Sequence, residues 1–265
     1  MKAVRKHVSE PWILLYIERW LTAPLQQNDG SQVVRARGTP QGGVISPILS
    51  NLFLHYVFDA WMVRQHPDLL WCRYADDGLV HCKTLQQAEA LLQQLQERFS
   101  ACELELHPSK TKIVYCKDSN RKQDYPERSF TFLGYTFRAR RAKNTKDNRV
   151  FANFSPGASK EAVKSMRAKT KKSNIRNRTE LSLNDIAERF NPILQGWINY
   201  YGRYSPTVLY SVWRHFNKTL VSWAMAKYKP LRQRKTRAGL FLEKIVQKQP
   251  KLFAHWRAGM IGEFT

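Results

Sequence analysis

Residues 71–82 read WCRYADDGLVHC. Two short apolar runs flank Ala75-Asp76-Asp77, and so tight a connection predicts a hairpin of strands over 69–74 and 78–82. Adjacent aspartates at a hairpin turn serve ordinary turn chemistry and solvation, or they hold a cation on a rigid support. The stretch alone leaves both readings open.

Downstream, Thr84 and Gln87 form a capping box. Leu85, Ala88, Leu91, Leu92, Leu95 and Phe99 then recur at helical spacing. An extended piece, ELELH, ends at Pro108, TKIVYC is expected to resume as a strand, and FTFLGYTF at 130–137 is expected as one further strand. Upstream, RARGTPQGGVISPILSNLFLHYVFDAW joins a loop punctuated by Gly and Pro to an apolar helix from about Pro47 to Trp61. Gly38, Gly42 and Gly43 allow close approach of backbone to a ligand, although a plain loop-to-helix junction has the same composition.

The 265 residues suggest one or two domains, and 43% apolar content is enough for a sizeable core. Cys72, Cys82, Cys102 and Cys116 lie far apart with no CxxC pairing, which points away from a zinc knuckle or a disulfide framework. The N-terminus MKAVRKHVSEPW has no signal-peptide pattern, and no run approaches the ~20 apolar residues of a membrane span. A cytoplasmic protein without a membrane partner is expected.

The net charge of +23 is unevenly placed. Residues 1–120 hold 13 Lys+Arg and 12 Asp+Glu, a net of +1, while 121–265 hold 31 and 9, a net of +22. Such a field favours a polyanion, and interleaved aromatics (Trp197, Tyr200, Tyr201, Tyr204, Tyr210, Trp213, Trp223, Tyr228) favour nucleic acid. A merely soluble basic domain is the alternative.

RGTPQGGVISPILSNLFL, then YADD, then LELHPSKTKIVYC and FTFLGYTF stand in an order that resembles the palm of group II intron-encoded reverse transcriptases. FNPILQGWINYYGRYSP is similar to the maturase-specific segment, domain X, of the same family. The resemblance implies an α+β fold: a partial palm of antiparallel strands with packed helices, then an all-α three-helix thumb and maturase domain. The expected boundaries are 1–140 for the palm, 141–157 for a basic linker, 158–240 for the thumb and maturase domain, and 241–265 for a C-terminal tail.

The resemblance also implies roles. Arg37, Gly38, Pro40, Gln41 and Gly42 would face template and nucleotide, Asp76 and Asp77 would hold metal, Lys110 would serve catalysis, and Leu133 and Gly134 would grip the primer. Nucleotidyl transfer uses two Mg²⁺ ions ~3.5–4 Å apart on the attacking and leaving oxygens, and Mg²⁺ takes oxygen ligands. The implied partners are group II intron RNA, an RNA template with a DNA primer, and deoxynucleoside triphosphates.

Phosphate contact falls to clustered cations, namely Lys164, Arg167, Lys169, Lys171, Lys172, Arg176 and Arg178, then Lys227, Lys229, Arg232, Arg234, Lys235 and Arg237. Trp197 continues an apolar stripe and is assigned to packing. The second half is expected as a basic helix in SPGASKEAVKSMRAKTKK, a stripe on Leu183, Ile186, Ala187 and Phe190, a restart at Asn191-Pro192, and a third stripe from Leu209 to Ala224.

The family places another metal-binding Asp on a strand ahead of the PQG motif, followed by a helix that MKAVRKHV resembles. Glu10 and Glu18 fall in helical sequence, Asp29 in a polar loop and Asp59 near a helix end, so none is a credible substitute. The expectation is a truncated or split member, without fingers and with an incomplete Mg²⁺ site, which an upstream polypeptide would complete. The family function would be an RNA-directed DNA polymerase with maturase activity. The alternative is a non-catalytic RNA-binding maturase remnant that assists intron splicing. No Cys- and His-rich nuclease module follows.

Overall fold

The computed structural model describes residues 1–27, 29–34, 38, 42–144 and 146–264. The chain forms two units, Met1–Ile113 and Val114–Thr265.

In the first unit, Pro11 opens helix α1 (Pro11–Thr22), since a residue without an N–H suits a first helical position. A short pair, β1 (Leu25–Gln26) and β2 (Gln32–Val33), follows. The expected apolar helix spans α2 (Ser46–Leu54), a π-helical turn over His55–Asp59, and α3 (Ala60–Gln65). Arg98 donates from Nε to the Val57 carbonyl at 3.0 Å and from Nη2 to the Tyr56 carbonyl at 3.1 Å, serving carbonyls within the widened turn.

The predicted hairpin is β3 (Trp71–Tyr74) and β4 (Asp77–Val80), antiparallel with Trp71 opposite Val80. Trp71 and Val80 pack on Phe58, Met62 and Leu91, the last from helix α4 (Leu85–Ser100). The Thr84 side chain accepts from Gln87 N–H at 3.1 Å, the N-cap expected there. A separate small core joins Val4, Ile17 and Leu49. The expected strand at 111–116 does not form. Tyr115 N–H donates to the Glu127 carbonyl at 2.9 Å, but no strand of the described residues pairs with this stretch.

The second unit departs further from expectation. FTFLGYTF is a hairpin rather than one strand: β5 (Ser129–Phe132) turns at Leu133-Gly134 into β6 (Tyr135–Lys143). The residues on the two sides of the turn mirror each other. Phe130 stacks on Phe137 at 4.7 Å, and the Thr131 and Thr136 hydroxyls meet at 3.2 Å. The segment 141–157 is likewise no linker, because β6 pairs along its whole length with β7 (Val150–Ala158).

Behind the sheet lie α5 (Lys160–Lys172), α6 (Leu183–Tyr201), α7 (Tyr210–Lys227), α8 (Lys235–Lys248) and the short α9 (Ala254–Arg257). The unit therefore exceeds an all-α three-helix bundle. α7 is its axis, burying Val212, Trp213, Phe216, Leu220, Val221, Trp223 and Ala224. Asn191-Pro192 does not restart a helix, since Pro192 lies inside α6. An interior proline costs ~3 kcal/mol. Core residues on both sides, Ile186, Ala187 and Leu194, anchor both halves of the helix in the core. Asn191 meanwhile bonds the Leu252 carbonyl at 2.9 Å and the Ala254 N–H at 2.8 Å.

The expected tail is core. Phe253, Trp256 and Phe264 are fully buried. Asn217, itself buried, accepts on Oδ1 from His255 Nε2 at 2.7 Å and Trp256 Nε1 at 3.2 Å, and donates to the Gly262 carbonyl at 2.9 Å. Burial lowers the pKa of His255 from 6.5 to about 3.

A neutral histidine with a depressed pKa binds no proton in the fold but binds one in the unfolded chain, so stability is complete above pH ~6.5 and falls with pH below it. Between pH 7.5 and 5.0 urea unfolding should lose about 2 kcal/mol, from ~1.4 kcal/mol per pH unit below 6.5. His255→Gln should flatten most of that slope.

Candidate functional site

The turn between β3 and β4 has two residues, because Tyr74 and Asp77 form the last pair. Ala75 takes a left-handed φ of 51°, a conformation that costs a residue with a Cβ roughly 1–2 kcal/mol. Arg73 offsets that cost. Its Nη1 donates to the Ala75 carbonyl at 2.7 Å and to Asn51 Oδ1 at 2.9 Å. Nε and Nη2 fork onto the Asp59 carboxylate at 2.7 and 2.6 Å. One guanidinium thus ties the turn to α2 and to the π-helical turn.

Hydrogen bonding to Arg73 holds Asp59 below the usual carboxylate range against the opposing effect of burial, and the same bond raises Arg73. Asp59 is thereby committed to the fold. Asp29, the other loop carboxylate considered, is engaged by the Ser31 hydroxyl and N–H. Sequence reading missed Arg73, although its place three residues before the first aspartate was a signal.

Asp76 and Asp77 are exposed, and neither carboxylate has a hydrogen bond or ion pair among the described residues. With Arg73 neutralised by Asp59, no nearby guanidinium claims them. Their oxygens are the donor type Mg²⁺ prefers, and Mg²⁺ commonly takes one or two protein carboxylates and completes its shell with water and phosphate. The two residues fit such an ion. Among the described residues no group of three His, Cys, Asp or Glu gathers anywhere. Lys110 is exposed on the turn after His107 and makes no contact with the aspartates. Gly38 and Gly42 have φ of 71° and 84° with open space where a Cβ would stand; Arg37, Pro40 and Gln41 lie outside the described residues.

In the second unit Leu133 and Gly134 both have positive φ, 49° and 78°, the pattern of a two-residue hairpin turn. Helix α6 clasps this turn. The Tyr200 hydroxyl donates to the Leu133 carbonyl at 2.9 Å, and the Tyr135 hydroxyl returns a bond to the Tyr200 carbonyl. A Cβ on Gly134 would lie 2.7 Å from the Tyr201 hydroxyl oxygen. Beside the turn is an open cleft of about 630 Å³ lined by Gly134, Ser159, Glu161, Lys169, Trp197 and Tyr201. Trp197 also packs on the core, with its ring 6.4 Å from Trp213.

Of the candidate cations, Lys164, Lys169, Lys171, Lys172, Arg176, Lys229, Arg232, Arg234, Lys235 and Arg237 stand exposed. Three have duties in the fold. Arg167 donates through Nε and Nη2 to the Ser211 carbonyl at 3.2 and 3.1 Å. Arg178 donates to the Ser173 carbonyl at 3.4 Å. Lys227 donates to the Thr179 and Leu181 carbonyls at 2.8 and 2.7 Å and lies over the Trp223 ring.

Residues 2–137 match the family "Reverse transcriptase (RNA-dependent DNA polymerase)", and residues 163–239 match "Group II intron, maturase-specific domain". The chain is similar to Protein YkfC of Escherichia coli (strain K12), 30% identical over 176 residues. That alignment covers 54% of this chain and 43% of YkfC, so the chain matches under half the length of this relative. No helix of the described residues is long and apolar enough to cross a membrane.

Two stability tests follow. In the first unit, Arg73→Lys keeps a charge but loses the fork, and Asp59→Asn loses the charge and one of the two accepting oxygens. Each should cost about 1–3 kcal/mol in urea unfolding, with a coupling above about 1 kcal/mol in the double-mutant cycle. In the second, Gly134→Ala should cost about 2–3 kcal/mol through φ strain and the Tyr201 clash. Adding Tyr201→Phe should recover part of the loss.

Proposed function

Since the chain belongs to the group II intron reverse transcriptase and maturase family, we propose that it binds structured intron RNA through its second unit and carries, on the Asp76–Asp77 turn, part of the metal-holding site of an RNA-directed DNA polymerase. The observation that carries this is the pair of unpartnered, exposed carboxylates on a two-residue turn whose backbone Arg73 locks.

Asp76 and Asp77 would hold Mg²⁺, which when bound stabilises charge on the attacking and leaving oxygens. The other work falls to the chain itself. Arg73 fixes the turn, so the carboxylates need not be ordered when substrate arrives. Gly38 and Gly42 supply left-handed backbone at a loop that would lie against template and nucleotide. The Leu133-Gly134 turn would support the primer, held from behind by Tyr200. Lys110 would offer a cation to phosphate, and the exposed cations of α5, α8 and the segment between α7 and α8 would neutralise RNA phosphates.

With Asp59 and Asp29 engaged by Arg73 and Ser31, a further carboxylate for two-metal chemistry would come from another segment of polypeptide. That engagement favours a second reading for these 265 residues taken alone, an RNA-binding maturase that does not polymerise.

Two assays decide. RNA affinity should fall about 10³-fold or more between ~50 and ~200 mM salt; a flat response would remove the phosphate-tracking surface. Primer extension on an RNA template with Mg²⁺ should be absent for the 265-residue chain and should appear when a reverse-transcriptase strand bearing the further Asp is supplied in front. Asp76→Asn should abolish the restored extension while leaving RNA binding intact. Robust extension by the unsupplemented chain would overturn the carboxylate count.

A further inference from the structure

β6 and β7 outrun the sheet they belong to. β5 accompanies β6 only to Arg138, opposite Ser129, whereas β6 and β7 continue pairing from Ala139↔Phe154 to Lys143↔Val150. At ~3.3–3.4 Å per residue the free ribbon is about 17 Å long. It is braced, not loose. Ser119 bonds both backbone groups of Ala152 on the outer edge of β7, accepting from its N–H at 2.7 Å and donating to its carbonyl at 3.1 Å. Arg140 turns inward, donating to the Ser155 and Thr136 carbonyls at 3.2 and 3.1 Å. Its guanidinium fills the space over Gly157, where an added Cβ would meet it at 2.6 Å.

The ribbon is also strongly and nakedly basic. Residues 138–150 hold Arg138, Arg140, Arg141, Lys143, Lys146 and Arg149 against Asp147 alone. Carboxylates in the neighbouring segment are already committed, Asp124 to Lys117 and Arg128, and Asp118 to Arg121. Among the described residues, Arg138, Arg141, Lys143 and Lys146 have no acidic partner; Arg149 reaches Asp147 at 3.9 Å. Directly opposed residues share a face. Arg141 and Lys143 therefore stand with Val150, which is 63% exposed, and Arg138 stands on the face of Phe151, which is 39% exposed. Two apolar side chains are too few to insert in a lipid surface. Cations two residues apart on one strand advance ~6.7 Å, so each can meet a separate charge of an extended polyanion.

We propose that the β6–β7 ribbon is a rigid arm that lies along the phosphate backbone of structured RNA, a binding element separate from the thumb helices. Arg141 and Lys143 on one face, with Lys146 and Arg149 at the ribbon's end, neutralise phosphates, and Val150 on that same face covers a sugar between them. The inference deepens the RNA-binding reading above and rests on it. Because β6 begins immediately after the Leu133-Gly134 turn, RNA held by the arm is joined to that turn through one continuous strand.

The test uses the full 265-residue chain and a fluorescent RNA hairpin. R141Q/K143Q/K146Q/R149Q should weaken binding tenfold or more, and should make the slope of log affinity against log salt shallower by about 2 or more. A helix variant, K164Q/K169Q/K171Q/K172Q, serves as comparison. If the helix variant loses affinity and the ribbon variant matches wild type, the arm is overturned while the RNA-binding reading stands. If wild type does not bind the hairpin, the reading itself fails. If the ribbon variant loses binding to phosphatidylserine vesicles and not to RNA, the arm serves a membrane and the proposal is overturned. A photo-crosslinking residue at Val150, on the face of Arg141 and Lys143, tests the contact without altering charge. Crosslinks to the hairpin are expected, and their absence alongside crosslinks from α5 would overturn the arm.

Discussion

A two-residue turn leaves its backbone carbonyls facing away from the ladder that satisfies the rest of the hairpin, and a left-handed residue at its apex adds strain. Two turns, one in each unit, meet this constraint in the same way. Arg73 Nη1 reaches the Ala75 carbonyl, and the Tyr200 hydroxyl reaches the Leu133 carbonyl. In each case the donor is itself fixed from behind, Arg73 by the Asp59 carboxylate and Tyr200 by the Tyr135 hydroxyl bonded to its own carbonyl. Rigid turns require such backing. Without it Ala75 and Leu133 would relax toward ordinary backbone and take their neighbours' side chains with them.

The second unit must hold together against its own charge. Its net positive field repels itself, and screening acts only beyond about a Debye length of ~8–10 Å. Cohesion comes from an almost wholly apolar axis along α7, where Trp213, Phe216, Leu220 and Trp223 are buried. The polar exception is Asn217, which bonds a histidine, a tryptophan and a backbone carbonyl to draw the C-terminal segment over the core. Because His255 is held neutral, it adds no charge to an already cationic unit. Lys227 is absorbed in a different way, its ammonium capping the Thr179 and Leu181 carbonyls in the connection before α6.

Where periodicity and turn chemistry agree, the fold was legible. The 71–80 hairpin, the α4 cap at Thr84 and the stripe of α7 all follow from residue spacing. Legibility failed where a position broke its usual preference. Leu133 is a poor turn residue, so FTFLGYTF looked continuous, although its mirrored order of Phe, Thr and Phe around Leu-Gly carried the hairpin. The ribbon was hidden because strands exposed on both faces show no apolar alternation, and RARRAKNTKDNR has the composition of a loop. Phe253 and Trp256 sit at a helix of only four residues, too short to show a periodic stripe, so a core segment resembled a tail. The hairpin turn that exposes Asp76 and Asp77 was legible from the motif. The Arg73–Asp59 fork was not, since it joins residues fourteen apart whose approach depends on the π-helical turn.

The boundaries of family resemblance and of folding do not coincide. The reverse-transcriptase match runs to residue 137, yet Val114 onward folds with the maturase-specific residues 163–239. The Leu133-Gly134 turn belongs to the first match, while the tyrosines that clasp it belong to the second. Tyr201 leaves room at Gly134 for no more than a hydrogen, and Ser159, the N-cap of α5, donates its own N–H to the Gly134 carbonyl at 2.9 Å. A shift of α6 or of the α5 N-terminus is therefore felt directly at the turn, with no intervening flexible element. A shift of those helices reaches the strand pair β5–β6 first, so residues from the two family matches share one support within the second unit.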